Sequence, residues 1–174
     1  MKIVIINGQG GSGKDTFVGF CQEGLKDVWN ISTIDYVKKL AFSVGWDGQK
    51  DDKGRKLLSD LKDALTEYGD IPFNVIIDNV HAIRYNYQMT HEDEDKAVVF
   101  IHCREPKEID KLKKALNGTT LLIRRPTVLD TFTNHADKNV FDYDYDYVYD
   151  NVKDMDSFRE DAIGFVNFLR RLKK

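Results

Sequence analysis

The sequence predicts an α/β chain, a parallel sheet of about five strands flanked by helices on both faces. Three observations predict it. Apolar, β-branched runs alternate with stretches of helical spacing. A glycine-rich loop, Gly8-Gln9-Gly10-Gly11-Ser12-Gly13-Lys14, follows directly on the apolar run Ile3-Val4-Ile5-Ile6 and opens the first helical stretch. The 174 residues hold only three prolines, with no linker or internal repeat to interrupt this order, so one domain over 1–174 with a sizeable core is expected.

Taken in order, strands are predicted at 2–7, 30–34, 73–79, 97–103, 119–124 and 145–149, each an apolar or alternating run. Helices are predicted at 14–25, 35–44, 54–68, 106–116 and 155–172. Pro106 suits the first turn of its helix, where its missing N–H costs nothing. The final helix carries Phe158, Ala162, Phe165, Val166 and Leu169 on one stripe and basic residues at the end that suits the negative pole of the helix. That stripe reads as core. Asp142-Tyr143-Asp144-Tyr145-Asp146-Tyr147 alternates as an edge strand does, and 91–96 reads as a solvated acidic turn.

The glycine-rich loop is a P-loop in the context that gives the motif meaning. Glycines let backbone N–H groups turn inward around phosphate oxygens, the following helix adds its positive end, and Lys14 reaches the β and γ phosphates. Gly8, Gly10, Gly11, Ser12, Gly13 and Lys14 are therefore nucleotide-binding candidates. Asp15 stands where a Ser or Thr hydroxyl commonly ligates Mg²⁺, and Thr16 follows as a partner for the α phosphate. Asp15 is read as a metal ligand, direct or through water; the alternative is an acid that only favours the first helical turn.

A net charge of −3 argues against a nucleic-acid binder, which needs clustered Lys and Arg. No N-terminal signal-like region and no long apolar run appears, so a cytoplasmic protein without a membrane span is expected. Cys21 lies on an apolar helix face and Cys103 ends an apolar strand, and both read as buried thiols. Neither a nucleophile elbow nor zinc-type Cys/His spacing occurs.

In an open parallel sheet ligands bind beyond the carboxyl ends of the strands. Asp35 and Lys38 open the helix after the second predicted strand and are acceptor candidates. Asp78 ends the predicted strand at 73–79 and reads as an acid organising Mg²⁺, or else as a helix cap. Arg104 follows the next strand, placed to stabilise a transferring phosphoryl group or to pair with Glu105 or Glu108. His102, within that strand, reads as a satisfied buried histidine. Arg124 and Arg125 form a second cationic pair with the same two readings, and Asn134-His135-Ala136-Asp137 either touches the acceptor or caps structure.

These residues resemble those of the nucleoside-monophosphate-kinase-like P-loop proteins, among them phage deoxynucleoside monophosphate kinases and animal-type phosphomevalonate kinases. Ser12-Gly13-Lys14-Asp15-Thr16 resembles their SGKD loop, Arg104-Glu105-Pro106-Lys107-Glu108-Ile109 their REPEEI segment, and Tyr145-Asp146-Tyr147-Val148-Tyr149-Asp150-Asn151 their tyrosine-aspartate strand and Asn turn. The resemblance implies ATP and Mg²⁺ as cofactors, Asn151 beside the base of ATP, and an acceptor segment over 35–69. It further implies Lys38 and Arg55 as acceptor residues and a lid over 104–117. Relatives often carry Asp, an apolar residue and Arg after the third strand. Here the run is Asp78-Asn79-Val80-His81 with Arg84 later, so either Asp78 or Asn79 matches the acid.

The reading as a whole is an ATP-dependent kinase of a small phosphorylated acceptor, a nucleoside or deoxynucleoside monophosphate. Its catalytic residues are Lys14, Arg104 and Asp78, its metal ligands Asp15 and Asp78, and its acceptor residues Asp35, Lys38, Arg55 and Arg84. The alternatives are a kinase of another phosphorylated metabolite, of dephospho-coenzyme A or phosphomevalonate type, and a nucleotide-binding regulatory ATPase.

Overall fold

The computed structural model describes residues 1–91, 96–126 and 139–172. Five strands form one sheet: β1 (Lys2–Asn7), β2 (Val28–Ser32), β3 (Val98–His102), β4 (Thr119–Arg124) and β5 (Tyr147–Asp150). They lie in the order β2-β3-β1-β4-β5 with every neighbouring pair parallel. The first strand in sequence is therefore central in space. The described helices are α1 (Lys14–Gly24), α2 (Asp35–Ser43), α3 (Asp52–Gly69), α4 (Ile71–Gln88), α5 (Pro106–Leu116) and α6 (Met155–Arg171). This is the α/β fold expected from the sequence, a P-loop set between the central strand and its helix.

The period of two in the strands sorts the core into two layers. Ile3, Ile5, Val99 and Ile101 face α4 and α5 through Ile76, Val80, Ile109 and Leu112. Val4, Ile6, Val98 and Phe100 face α1 and α6 through Phe17, Cys21, Phe158 and Ala162. A third, separate cluster of Val37, Ala41 and Leu58, with Trp46, Leu61 and Leu65 against it, joins α2 to α3 beside the main sheet.

One predicted element is corrected. The run at 73–79 is helical, inside α4, and not a strand. A short apolar run reads alike as a buried strand or a buried helix turn. What decides it lies outside the run. Pro72 sits in the first turn, Asp70 takes the left-handed conformation at φ 57° between α3 and α4, and Ile76, Val80 and Tyr87 continue the burial at helical spacing. Asp78 and Asn79 are exposed on the outer face of this helix, so neither ends a strand.

The segment expected as a lid, 104–117, holds α5. α5 buries Ile109, Leu112 and Leu116 in the main core. Its polar face is bound on three sides: Lys62 Nζ lies 2.7 Å from Glu108, Lys113 Nζ lies 2.7 Å from Asp146, and Tyr143 Oη donates to Asp110 at 2.9 Å. A helix so anchored is a layer of the core. The alternating tyrosine-aspartate run also differs from a plain edge strand, since pairing begins at Tyr147, Tyr145 is buried, and Asp146 accepts from the Thr120 N–H and hydroxyl at 2.8 and 3.0 Å. Cys21 and Cys103 are both buried free thiols, as expected. No described helix is long and apolar enough to cross a membrane. Residues 92–95 of the acidic turn, and Asn134-His135-Ala136-Asp137, fall outside the described residues.

Candidate functional site

All five strands run the same way, so the loops leaving their carboxyl ends converge on one edge. β1 leaves through Asn7, which is fully buried. Its Nδ2 donates to the Arg104 carbonyl at 3.1 Å and to Tyr145 Oη at 2.7 Å, while its Oδ1 accepts from the Gly8 N–H at 2.8 Å. One amide thus fixes the start of the glycine loop relative to the exit of β3. Tyr145 Oη in turn donates a hydrogen bond to the Val140 carbonyl at 2.8 Å, and burial pushes that phenol up to about 12.

The loop itself is drawn tight. Ser12 N–H donates to the Gln9 carbonyl at 3.2 Å. Gly13 takes φ 95° at the N-cap of α1, and a Cβ added there would lie 2.5 Å from Asn151 Nδ2. A Cβ at Gly8 would lie 2.5 Å from Ser12 Oγ. That hydroxyl is buried with no hydrogen-bond partner among the described residues. A buried polar atom left unpaired costs free energy, and its place inside a ring of glycines at a helix N-terminus fits a phosphate oxygen as the missing partner. Lys14 Nζ lies 3.4 Å from the Gln9 carbonyl, across the mouth of the loop.

A pocket of about 220 Å³ opens beside the loop, lined by Lys14, Asp15, Thr16, Arg125, Asn151 and Met155 among others. Asn151 is held there twice: its Nδ2 donates to the Ser12 carbonyl at 3.0 Å, and its N–H to the Arg124 carbonyl at 2.7 Å. The two arginines after β4 divide. Arg124 forms a two-pronged pair with Asp150, at 2.6 and 2.7 Å, which holds the Asp150 carboxyl below the usual carboxylate range, while Arg125 lines the pocket. Sequence reasoning could not tell these neighbours apart, because strand alternation alone does not say which faces the ligand. Phe158 and Met155 also reach the pocket from the start of α6, where the helical stripe had assigned Phe158 to the core only.

On the other side of the loop, Asp35 accepts from the Ser32 N–H at 2.8 Å and pairs with Lys38 at 3.4 Å. Arg55 stands in the first turns of α3, its Nε donating to the Lys50 carbonyl at 2.7 Å. Glu108 takes Lys62 and the Cys103 thiol, the latter at 3.2 Å, and burial with that carboxylate pushes the Cys103 thiol well up. Arg104 is half-buried at the exit of β3. His102 closes β3 in register with Ile6 and Ser32, its Nδ1 3.5 Å from Asp15 Oδ1 and its Nε2 buried with no hydrogen-bond partner among the described residues. The reading of His102 as a satisfied histidine is corrected on that ground. Burial lowers its basicity, opposed by Asp15.

Two predicted site residues are not brought here. Asp78 is exposed in mid-α4. Arg84 lies one turn before Tyr87, whose ring packs 5.6 Å from Trp29 at the start of β2, toward the opposite edge of the sheet. Among the described residues no group of three or more His, Cys, Asp or Glu could hold a metal ion. Asp15, its side chain 82% exposed beside Lys14, fits the mode in which Mg²⁺ takes one carboxylate and completes its shell from phosphates and water.

No family model matches the chain, and no curated protein does. Among solved structures it is similar to the Mycobacterium tuberculosis APS kinase, at 12% identity and TM-score 0.39 over 95% of this chain and 96% of that one. It is also similar to the dephospho-CoA kinase from Campylobacter jejuni, at 15% identity and TM-score 0.44 over 97% of each chain. A Thermus thermophilus protein matches at 17% identity and TM-score 0.42, over 99% of this chain and 98% of that one. At these scores the likeness is one of general layout, and the site is read from its own residues.

Proposed function

We propose that the chain is an ATP- and Mg²⁺-dependent kinase whose acceptor is a small phosphorylated molecule, a nucleoside or deoxynucleoside monophosphate. The observation that carries this reading is the glycine loop with its unpaired Ser12 hydroxyl and Lys14 at the mouth, next to a pocket walled by Asn151 and Arg125. Phosphoryl transfer needs charge neutralisation, in-line placement and exclusion of water more than covalent help. Gly10, Gly11, Gly13 and Ser12 cradle the phosphates, Lys14 offsets their charge, and Thr16 bonds the α phosphate. Asn151, Arg125 and Met155 border the nucleotide. Asp15 holds the metal, which neutralises phosphate charge when bound. Arg104, at the exit of β3, stabilises the transferring group, and the α2–α3 lobe receives the acceptor through Asp35, Lys38 and Arg55. Asp78 and Arg84 have no part in this arrangement.

The test is ADP production from Mg-ATP across ribo- and deoxyribonucleoside monophosphates, with dephospho-coenzyme A, phosphomevalonate and a no-acceptor control. Strong stimulation by a nucleoside monophosphate is expected. Stimulation by one of the other two alone would replace the acceptor, and equal rates with and without every acceptor would overturn the kinase. Lys14→Ala should lower turnover at least about a hundredfold, in the range seen when a charge-stabilising group is removed, with the melting temperature little changed.

A further inference from the structure

The buried Nε2 of His102 has no hydrogen-bond partner among the described residues. The four residues before it in β3, Val98 to Ile101, are buried and apolar, and its own backbone carbonyl already serves the sheet by accepting from the Thr33 N–H at 3.2 Å. An apolar residue would fill the place without leaving a buried ring nitrogen bare. The imidazole is 12% exposed, with Asp15, Lys14, Asp35 and Lys38 as the charged groups around it, and Asp15 Oδ1 is 3.5 Å from its Nδ1.

P-loop NTPases commonly end a strand beside the loop with an acid that helps hold the metal. Here the residues from Val98 to Arg104 include no carboxylate. The acid is instead Asp15, in the first turn of α1, where an exposed side chain is free to take several rotamers. Something must select the one that faces the phosphates. The imidazole comes from the end of an interior strand, paired on both sides, rather than from a loop, so it can do so at little cost in order.

We propose that His102 is a positioning residue, its Nδ1–H directed at the Asp15 carboxylate so that this acid is fixed beside the phosphates of the bound nucleotide. The work of one strand-end acid is then divided between a helix-borne carboxylate and a strand-borne imidazole. With its proton on Nδ1, Nε2 remains an acceptor. The inference rests on the nucleotide and metal reading of the loop.

The experiment measures the affinity of a fluorescent ATP analogue with and without Mg²⁺ for the unaltered chain, H102F, H102N, D15N and the H102F/D15N double variant, with melting temperatures alongside. H102F keeps a ring and removes both nitrogens; H102N restores an N–H near the place of Nδ1. H102F is expected to weaken the Mg²⁺-dependent affinity by about tenfold or more, the range for groups that orient a metal's ligand. Metal-free affinity should stay unchanged. D15N should likewise weaken the Mg²⁺-dependent affinity, the double variant should be no worse than D15N in Mg²⁺, and H102N should recover most of the loss. Should H102F fold poorly, H102M, flexible and apolar, takes its place. Unaltered Mg²⁺-dependent affinity in the apolar variant, equal loss with and without Mg²⁺, or a loss that adds in full to that of D15N would overturn the positioning role. An unaltered chain that does not bind the analogue would instead overturn the nucleotide reading, and this proposal with it.

Discussion

Gly13 shows how much of the site hangs on single atoms. Its φ of 95° suits glycine alone, and a methyl group there would meet the Asn151 amide that braces Ser12. Gly13→Ala is expected to cost about 1–3 kcal/mol of stability and to weaken nucleotide binding, read by urea unfolding and analogue titration. Asp146 offers a test by pH. Burial alone would raise its carboxyl, but Lys113 and the two Thr120 donors outweigh that and hold it below the ordinary aspartate value. A depressed folded value means the stabilisation is full above the unfolded value and is lost as pH falls through the folded one. Asp146→Ala, which leaves the buried Thr120 N–H bare, should cost about 1–3 kcal/mol near neutral pH. The gap from the unaltered protein should narrow on acidification, and urea midpoints measured down the acid range would show it. Sequence made the loop legible at this scale because glycines, Lys14 and the helix start stand in a fixed order. His102 was not legible, since a histidine closing an apolar run looks the same whether its nitrogens are bonded or bare.

Among the elements, α3 is set by its first turn. Asp51 caps it by accepting from the Gly54 N–H at 2.7 Å, and Arg55 follows in the same turn. Asp51→Ala is expected to cost about 1 kcal/mol and, if Arg55 receives the acceptor, to raise the acceptor KM more than the ATP KM. Equal rises would move this helix start out of the acceptor site. The strands at the middle of the sheet could be read directly, because burial on both faces leaves long apolar runs. α4 could not be read so, since its most apolar stretch is shorter than the helix and its helical evidence sits beyond that stretch, at Pro72, Val80 and Tyr87. That one misread element also carried Asp78 and Asn79 with it, since both were read at the end of a strand where the structure has a helix.

Over the whole molecule, the pocket beside the glycine loop is closed by the seam of α1 and α6. Phe158 packs against Phe17, Phe20 and Tyr149, with ring centroids 5.6 to 5.8 Å apart, and also lines the pocket. Phe158→Ala is expected to cost about 3–5 kcal/mol and to lower nucleotide affinity in the fraction that stays folded; thermal unfolding with and without Mg-ATP separates the two effects. The parallel architecture followed from the alternation of runs, whereas the strand order depends on crossovers that no local pattern records. α6 further ties the molecule together at its back, as Arg170 donates to the carbonyls of Lys26 and Lys96 at 2.7 Å and Lys2 Nζ donates to the Leu172 carbonyl. Because the last described helix completes the layer that the first strand and first helix begin, a ribosome making this chain releases Phe17 and Phe100 long before their cover. The nascent protein therefore carries a bare aromatic face until α6 emerges, and that interval is when chaperones would find it.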